Sequence, residues 1–241
     1  MAITSGLNVR LLVEGRDLSG DANALDSMGY TQNLLDTTTL NKTAMARITG
    51  LSTGAVSVSA YFDNAANQGH ATFSQNSGKL PAADQVVLVP LGSDIGSPSV
   101  GLSGKQAEYN VSRTSGSAIT SSVTYEGNGM GGEFGVMLTA FDDTHASSSS
   151  NSSVDNSASS SGGGVGYLEN ISLGSGTVTV KIEDSPDDAT WSDLLTFTGT
   201  GTSDVPSAER VEVTGTVDRY VRVTTTGTFT NLKFACQLVR L

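Results

Sequence analysis

Two stretches of this chain repeat one pattern, GAVSVS at residues 54–59 and GTVTVK at residues 176–181. Each is a glycine followed by alternating apolar and polar residues, the pattern of a strand that buries one face. They begin 122 residues apart in a chain of 241. The spacing indicates a β module of about 120 residues present twice. A repeated module of this kind completes its core or its sheet edge against its neighbour.

Further matches occur in the same order along the chain. LPAADQV at residues 80–86 resembles VPSAERV at 205–211, and YNVSRTSG at 109–116 resembles YVRVTTTG at 220–227. The second pair is only 111 residues apart, so the first copy contains about ten additional loop residues. We therefore predict an all-β chain of two tandem β-sandwich modules, comprising residues 1–130 and 131–241, and interpret the repeat as a duplication.

Composition favours the same fold class. Charged residues make up 15% of the chain and apolar residues 37%, with 28 glycines. This mix is typical of β-sandwiches with many turns rather than of helical enzymes.

The chain is acidic, with a formal net charge of −11 and a pI near 4.4. Such a surface repels phosphate backbones, which excludes a protein that grips nucleic acid. It is compatible with a surface past which DNA moves without sticking. A protein that is merely soluble would have the same charge.

Cys236 is the single cysteine and lies in an apolar strand pattern, so we expect a buried, unreactive thiol. The first residues contain no basic start followed by an apolar run, and no segment has the length of a membrane span. We expect a protein made and assembled in the cytoplasm, without a membrane partner.

Alternation and turn residues predict strands throughout, with a hairpin in each half. The hairpins turn at residues 115–117 and at 226–228. A single helical turn is predicted at residues 43–48, where Ala44, Met45 and Ala46 are helix formers. A glycine-rich turn at residues 128–132 is the expected boundary between the modules.

Residues 145–166 are rich in serine and glycine. This composition buries too little apolar surface to offset the entropy of ordering. We expect a long mobile loop within the second module. The alternative is a flexible arm that becomes ordered across a neighbouring subunit.

No arrangement of residues indicates catalysis, and we predict no catalytic, cofactor-binding or metal-binding residues. GNGMGG at 127–132 matches the dinucleotide-binding glycine spacing, but a strand follows it where that site needs a helix. Carboxylates cluster at 142–143 and 183–188, and oxygens of this kind can bind calcium. The second cluster lacks the spacing of a calcium loop and contains a proline, so we expect a solvated turn there. His70 and His145 have no zinc-type partners nearby, and no serine has the context of a nucleophile.

Four cations give the end of the chain local positive charge: Arg219, Arg222, Lys233 and Arg240. One interpretation is complementary charge across a subunit interface, and the other is an ordinary solvated strand face.

The order of several segments resembles the major tail proteins of long-tailed bacteriophages. The segments are VEGRDLSGDANALD at 13–26, DTTTL at 36–40, RITGLSTGAVSV at 47–58 and GTVDRYVRVTTTG at 215–227. The resemblance implies a tail-tube β-sandwich whose strands join those of neighbours around a DNA channel. It also implies stacked rings, association with other tail proteins and residence in the virion tail.

The resemblance leaves the ring stoichiometry open. A chain with two tube modules would form a trimer of six pseudo-equivalent positions, which is the preferred prediction. If the second half is a decorating sandwich, a hexamer would form. A capsid decoration or a host- or glycan-binding sandwich is the alternative function.

Overall fold

The computed structural model describes residues 8–75 and 79–241. The fold is all-β, as predicted. The strands and the one helix of the described residues follow in chain order: β1 (Leu12–Val13), β2 (Arg16–Asp17), β3 (Ala22–Asp36), β4 (Arg47–Tyr61), α1 (Gly69–Ser74), β5 (Gln85–Pro90), β6 (Pro98–Arg113), β7 (Ile119–Gly127), β8 (Glu133–Met137), β9 (Thr144–His145), β10 (Ser149–Ser150), β11 (Val154–Asp155), β12 (Gly164–Ser172), β13 (Ser175–Ser185), β14 (Ser192–Thr196), β15 (Thr200–Gly201), β16 (Ser207–Val213), β17 (Tyr220–Thr230) and β18 (Leu232–Arg240).

A twelve-stranded sheet is organised around the long strand β6. One edge of β6 pairs with β5, which continues to β1 and β2. The other edge pairs with β8 near its start and with β7 further along. Beyond β7 lie β4 and β3, and beyond β8 lie β18, β12 and β16. The large sheet therefore divides into two wings. Strands β7, β4 and β3 form one wing, and strands β8, β18, β12 and β16 form the other.

A second, six-stranded sheet packs on one of these wings. It is built around β13 and β17, which pair in register from Ser175↔Thr230 to Ser185↔Tyr220. Val178, Val180 and Ile182 of β13 are buried in a core cluster with Phe234 and Cys236 of β18. The predicted burial of Cys236 is thus confirmed, and its burial raises the pKa of the thiol.

Strands β12 and β18 are buried on both faces and form the middle of the molecule. One face packs on the second sheet. On the other face, Val165, Tyr167 and Val239 pack with Val86 of β5, and Ala235 lies in a cluster with Leu12. The division at about residue 130 stays a prediction, because two core clusters each belong to one half and two smaller ones contain residues of both.

Hairpin predictions had different outcomes in the two halves. The first hairpin is confirmed, with β6 and β7 paired up to Arg113↔Ile119. The second is wrong, because β17 runs unbroken through the expected turn at 226–228 and the chain reverses after it, at Asn231. Gly227 instead lies inside the strand, where a Cβ atom would collide with the backbone of Thr177.

The predicted helical turn at residues 43–48 is also wrong. Its first part belongs to a connecting loop, and Arg47 begins strand β4. The central strand β12 was not predicted, since Glu169 and Asn170 interrupt its apolar pattern.

The two repeated glycine stretches have different strand neighbours. The first lies in β4, between β3 and β7 of the large sheet. The second lies in β13 of the small sheet, with β17 along one edge and β15 and the end of β14 along the other. The proposed duplication stays a prediction, and the strand pairing of these segments is not equivalent.

Candidate assembly surface

Strands β3 and β4 extend beyond the body of the molecule as a two-stranded ribbon. Strand β4 pairs with β7 only from Ala55 to Tyr61, whereas its pairing with β3 continues to Arg47↔Asp36. Residues 30–54, here called the arm, therefore have no third strand. At 3.3 Å per residue, the paired part of the arm projects by about 23 Å.

The arm has an unusual number of apolar side chains in solvent. Leu51 is 89% exposed and Leu40, in the connecting loop, is fully exposed. The other exposed apolar residues of the arm are Tyr30, Leu34, Leu35, Met45 and Ile48. An isolated two-stranded ribbon is marginally stable in water. Clustered exposed apolar residues of this kind mark a contact surface.

The tip of the arm has its own hydrogen bonds. The backbone N–H of Thr37 donates to the carbonyl of Ala46 (2.9 Å), and the N–H of Ala46 donates to Oγ1 of Thr38 (2.8 Å). The side-chain hydroxyl of Thr38 and its backbone N–H both act on the carboxylate of Asp36 and lower the pKa of that carboxyl. The tip is thus shaped without a partner chain.

Glycines hold the root of the arm against the turn between β7 and β8. A Cβ atom on Gly54 would collide with the backbone of Gly131 and Gly132. The ring of Tyr30 meets that of Phe134 edge-on, at a centroid distance of 6.2 Å. The glycine-rich turn at residues 128–132 is therefore packed closely against the root of the arm.

Free strand edges lie at the ends of both wings. Among the described residues, β3 pairs only with β4, and β16 pairs only with β12. Strand β3 is 15 residues long. A free edge of this length is a template for pairing with another chain.

The sheet face formed by β4, β7 and β6 at the root of the arm is rich in hydroxyl groups. Ser57 Oγ lies 3.2 Å from Thr124 Oγ1 across the strands, and Ser59 donates to Asp26 of β3 (2.7 Å). The register places these residues on one face with the side chains of Tyr61, Thr120, Ser122, Glu126, Lys105, Glu108, Asn110 and Ser112. We call this the hydroxyl face.

Charge on the hydroxyl face is predominantly negative. Asp26, Glu108 and Glu126 provide carboxylates. Lys105 is held at one margin by Asp84, at 2.8 Å. This contact and a hydrogen bond from Asn128 lower the pKa of Asp84. The hydroxyl face therefore carries more carboxylates than cations.

The residues weighed for chemistry occupy structural positions. Asp187 accepts hydrogen bonds from the backbone N–H groups of Thr190 (2.7 Å) and Ala189 (3.0 Å), which lowers its pKa to about 2. Asp187 thus lies in the expected turn, whereas Glu183, Asp184 and Ser185 form the end of strand β13 and are not part of it. Among residues 8–75 and 79–241, no group of three or more His, Cys, Asp and Glu is placed to hold a metal.

The two histidines lie apart. His70 Nδ1 is 2.8 Å from the hydroxyl of Tyr109. His145 is buried and lies within hydrogen-bonding distance of Ser149, Thr225 and Asn151. Its role in fastening the serine-rich segment was not predicted, since its partners are distant in sequence or belong to that segment.

The serine-rich segment is not a free loop. Strands β10 and β11 pair with β17, through Ser149↔Thr225 and Val154↔Val221. Composition predicted a loop because serine side chains bury little apolar area, but here the backbone and hydroxyl groups make the contacts. The segment is ordered against its own chain.

The four cations near the end of the chain have acceptors within the chain. Arg219 binds Asp155 and lowers the pKa of that carboxyl to about 2, and Arg222 binds Glu183 at 2.7 Å. Lys233 lies 3.7 Å from Asp142, and Arg240 donates to the carbonyl of Val217. Each of the four cations therefore has an acceptor within its own chain, and its position does not require a partner from a neighbouring subunit.

No helix in the described part of the chain is long and apolar enough to cross a membrane.

Comparisons with known proteins gave likenesses of structure only. No family model matches the chain, and no curated protein matches it. A chain of the native gene transfer agent virion is similar over 53% of this chain and 96% of its own length, with 14% identity and a TM-score of 0.40.

Two phage structures are similar over nearly the whole chain. The Dit protein of phage SPP1, described as a hub of the adsorption apparatus, has 9% identity and a TM-score of 0.36, with 96% of this chain and 98% of that chain covered. A chain of the phage p2 baseplate has 10% identity and a TM-score of 0.33, with 97% and 98% covered. These neighbours are tail and baseplate proteins. The likeness is distant, and the function proposed below rests on the geometry of this chain.

Proposed function

We propose that this chain is a structural subunit of a virion tail, which assembles with copies of itself into stacked rings around a DNA channel. The observation that carries the proposal is the arm. Seven apolar side chains stand in solvent on a ribbon that has no third strand. A second copy of the chain supplies a surface that covers them. No catalytic step is part of this function.

The free edges support lateral assembly. Strand β3 at one end of the large sheet and β16 at the other end both have an unpaired edge among the described residues. Lateral contacts between such edges in neighbouring copies form a ring by a heterologous, head-to-tail interface. Closure of the ring removes the edges that would otherwise promote aggregation.

The hydroxyl face is our candidate for the wall of the channel. Its hydroxyl groups are uncharged, and its excess carboxylate repels phosphate. DNA would therefore pass without being held. The formal net charge of −11 extends the same repulsion to the whole subunit.

The number of arms per chain supports an inference about the number of chains in a ring. Within the described residues, the first half extends an arm and the second half folds its serine-rich segment back on β17. A ring with six arms then needs six chains, which favours the hexamer over the pseudo-sixfold trimer. Mass photometry of isolated rings distinguishes six chains of 24.7 kDa from three.

Negative-stain electron microscopy of the purified chain tests assembly. We expect stacked rings with a central channel. Replacing both Leu40 and Leu51 by serine removes apolar contact worth about 3 kcal/mol or more, which corresponds to roughly hundredfold weaker association. The double variant should remain as single rings or monomers with an unchanged circular dichroism spectrum.

Val111→Ser is the matched control, since Val111 is an exposed apolar residue outside the arm. The control should assemble like the wild-type chain. Equal assembly by the double variant would show that the arm is not the contact. A wild-type chain that stays monomeric at every concentration would favour a decoration or binding module instead.

A further inference from the structure

The turn between β1 and β2 is inserted into the second half of the chain. Glu14 and Gly15 form this turn, both with positive φ. A Cβ atom on Gly15 would lie 2.5 Å from the carbonyl oxygen of Asn170 and 2.7 Å from that of Ser207. The turn thus sits directly on β12 and β16, with no space for a side chain.

Glu169 lies beneath the turn and is fully buried. Its cross-strand neighbours are two alanines, Ala208 on β16 and Ala235 on β18. These small residues leave the space that the turn fills. The N–H of Gly15 donates to Oε2 of Glu169. The other carboxyl oxygen, Oε1, has no hydrogen-bond partner among the described residues.

The charged and titratable groups around Glu169 come from three elements. Glu14 lies in the turn, and its Oε1 accepts the N–H of Val86 (2.6 Å). Arg16 follows on β2, and Tyr125 lies on β7. The hydroxyl of Tyr125 is also buried without a partner. A second carboxylate and an unpaired buried oxygen are a poor environment for a charged Glu169.

We propose that this contact is a proton-controlled latch between the two halves of the chain. The latch is closed while Glu169 holds a proton, and it opens when Glu169 ionises. In the neutral acid, Oε2 still accepts the Gly15 N–H. Ionisation would place a negative charge in the interior beside Glu14, with one carboxylate oxygen, Oε1, still without a hydrogen-bond partner among the described residues. Withdrawal of the turn gives that charge access to water, through the polar cleft lined by Glu14, Arg16 and Gln85.

The direction of the pH response follows from burial. Burial raises the pKa of Glu169 well above its ordinary value of 4.5 and outweighs the hydrogen bond from Gly15, which lowers it; of the nearby charges, Glu14 raises the pKa and Arg16 lowers it. Burial likewise raises the pKa of Glu14. A group with a raised folded-state pKa stabilises the fold fully below its unfolded-state pKa. That stabilisation is lost as the pH rises through the folded-state pKa, so the latch opens on the alkaline side.

Hydrogen exchange of the full chain by mass spectrometry tests the latch. Protection of the peptide covering residues 11–18 is followed from pH 5 to pH 9 and corrected for the intrinsic exchange rate. Between the ordinary pKa that Glu169 has in the open latch and its raised pKa in the closed latch, we expect protection to fall by about tenfold per pH unit and then to level off. Protection of a peptide within β13 should not change, which separates opening of the latch from global unfolding.

Glu169→Gln is the decisive variant, since the amide is a neutral analogue of the protonated carboxyl and retains an acceptor for Gly15. We expect its protection to vary with pH much less than that of the wild type, and the variation that remains comes from Glu14. Glu126→Gln, on the exposed face of β7, is the control and should behave like the wild type.

Several results would overturn the proposal. One is protection of residues 11–18 in the wild-type chain that stays constant from pH 5 to pH 9. Another is a Glu169→Gln variant whose protection changes with pH as in the wild type. A Glu169→Gln variant that is open or unfolded at all pH values would also overturn it, because a neutral side chain should keep the latch closed.

Discussion

Arg210 binds both carboxylate oxygens of Glu133, with Nη2 at 2.8 Å from Oε1 and Nε at 3.0 Å from Oε2. Both side chains are about 15% exposed. Tyr167 donates a third hydrogen bond to the same carboxylate, and burial together with Glu133 raises the pKa of its hydroxyl. The pair connects the edge strand β16 to β8, next to the turn at residues 128–132.

Removing Arg210 should therefore destabilise the fold. Arg210→Ala leaves a largely buried carboxylate without its cation, and we expect the free energy of unfolding to fall by about 2–4 kcal/mol. Urea unfolding followed by circular dichroism measures the change. Arg113→Ala, at the exposed end of β6, should change it by less than about 0.5 kcal/mol. Similar losses in the two variants would contradict a structural role for the pair.

Gly15 offers a test of the close approach between the β1–β2 turn and β12. Gly15→Ala meets both an unfavourable φ of +76° and the backbone of Asn170 and Ser207. We expect a loss of about 3 kcal/mol or more in thermal or urea unfolding. Gly116→Ala has a similar φ of +81° with open space around it, and should cost about 1 kcal/mol. If both variants lose the same amount, the contact with β12 contributes nothing.

The exposed carboxyl groups of Asp155 and Asp187 are expected to make the stability of the fold depend on pH at low pH. Hydrogen bonds from Arg219 lower the pKa of Asp155, and those from Thr190 and Ala189 lower that of Asp187, in both cases to about 2. A depressed folded-state pKa gives a stabilising contribution above the unfolded-state value of 3.8, which is lost as the pH falls towards 2.

Carboxyl NMR titration should therefore place both groups near 2. Arg219→Gln should move the pKa of Asp155 back towards its ordinary value and leave Asp187 unchanged. A shift of both groups, or of neither, would show that Arg219 does not act locally on Asp155.

Much of the fold could be predicted from short-range pattern. Alternation identified β4 and β13, and the turn residues at 115–117 located the first hairpin. These signals succeed because one face of each strand is buried and the other is solvated. The central strand β12 was not predicted because it is buried on both faces and contains Glu169. Its sequence therefore has no alternation of apolar and polar residues.

The candidate assembly surface was harder to predict, for a different physical reason. Leu40, Leu51 and their neighbours are apolar, which in a single sequence indicates burial within the chain. Their exposure depends on how far β4 continues past the end of β7, a property of strand pairing over long sequence separations. The hairpin turn predicted at Gly227 was wrong for a similar reason. In a single sequence, a glycine that allows two strands to approach closely cannot be distinguished from a glycine in a turn.

The division of the chain near residue 130 can be tested with fragments. Residues 131–241 contain a complete core cluster, but the second face of β12 and β18 is covered by Leu12, Val86 and Leu88 of the first half. Without that cover, Tyr167 and Val239 would meet water. We expect the isolated fragment to bind a hydrophobic dye and to aggregate, and co-expression with residues 1–130 to restore a compact, soluble pair. A monomeric, dye-negative fragment with a cooperative unfolding transition would instead establish residues 131–241 as an independent domain.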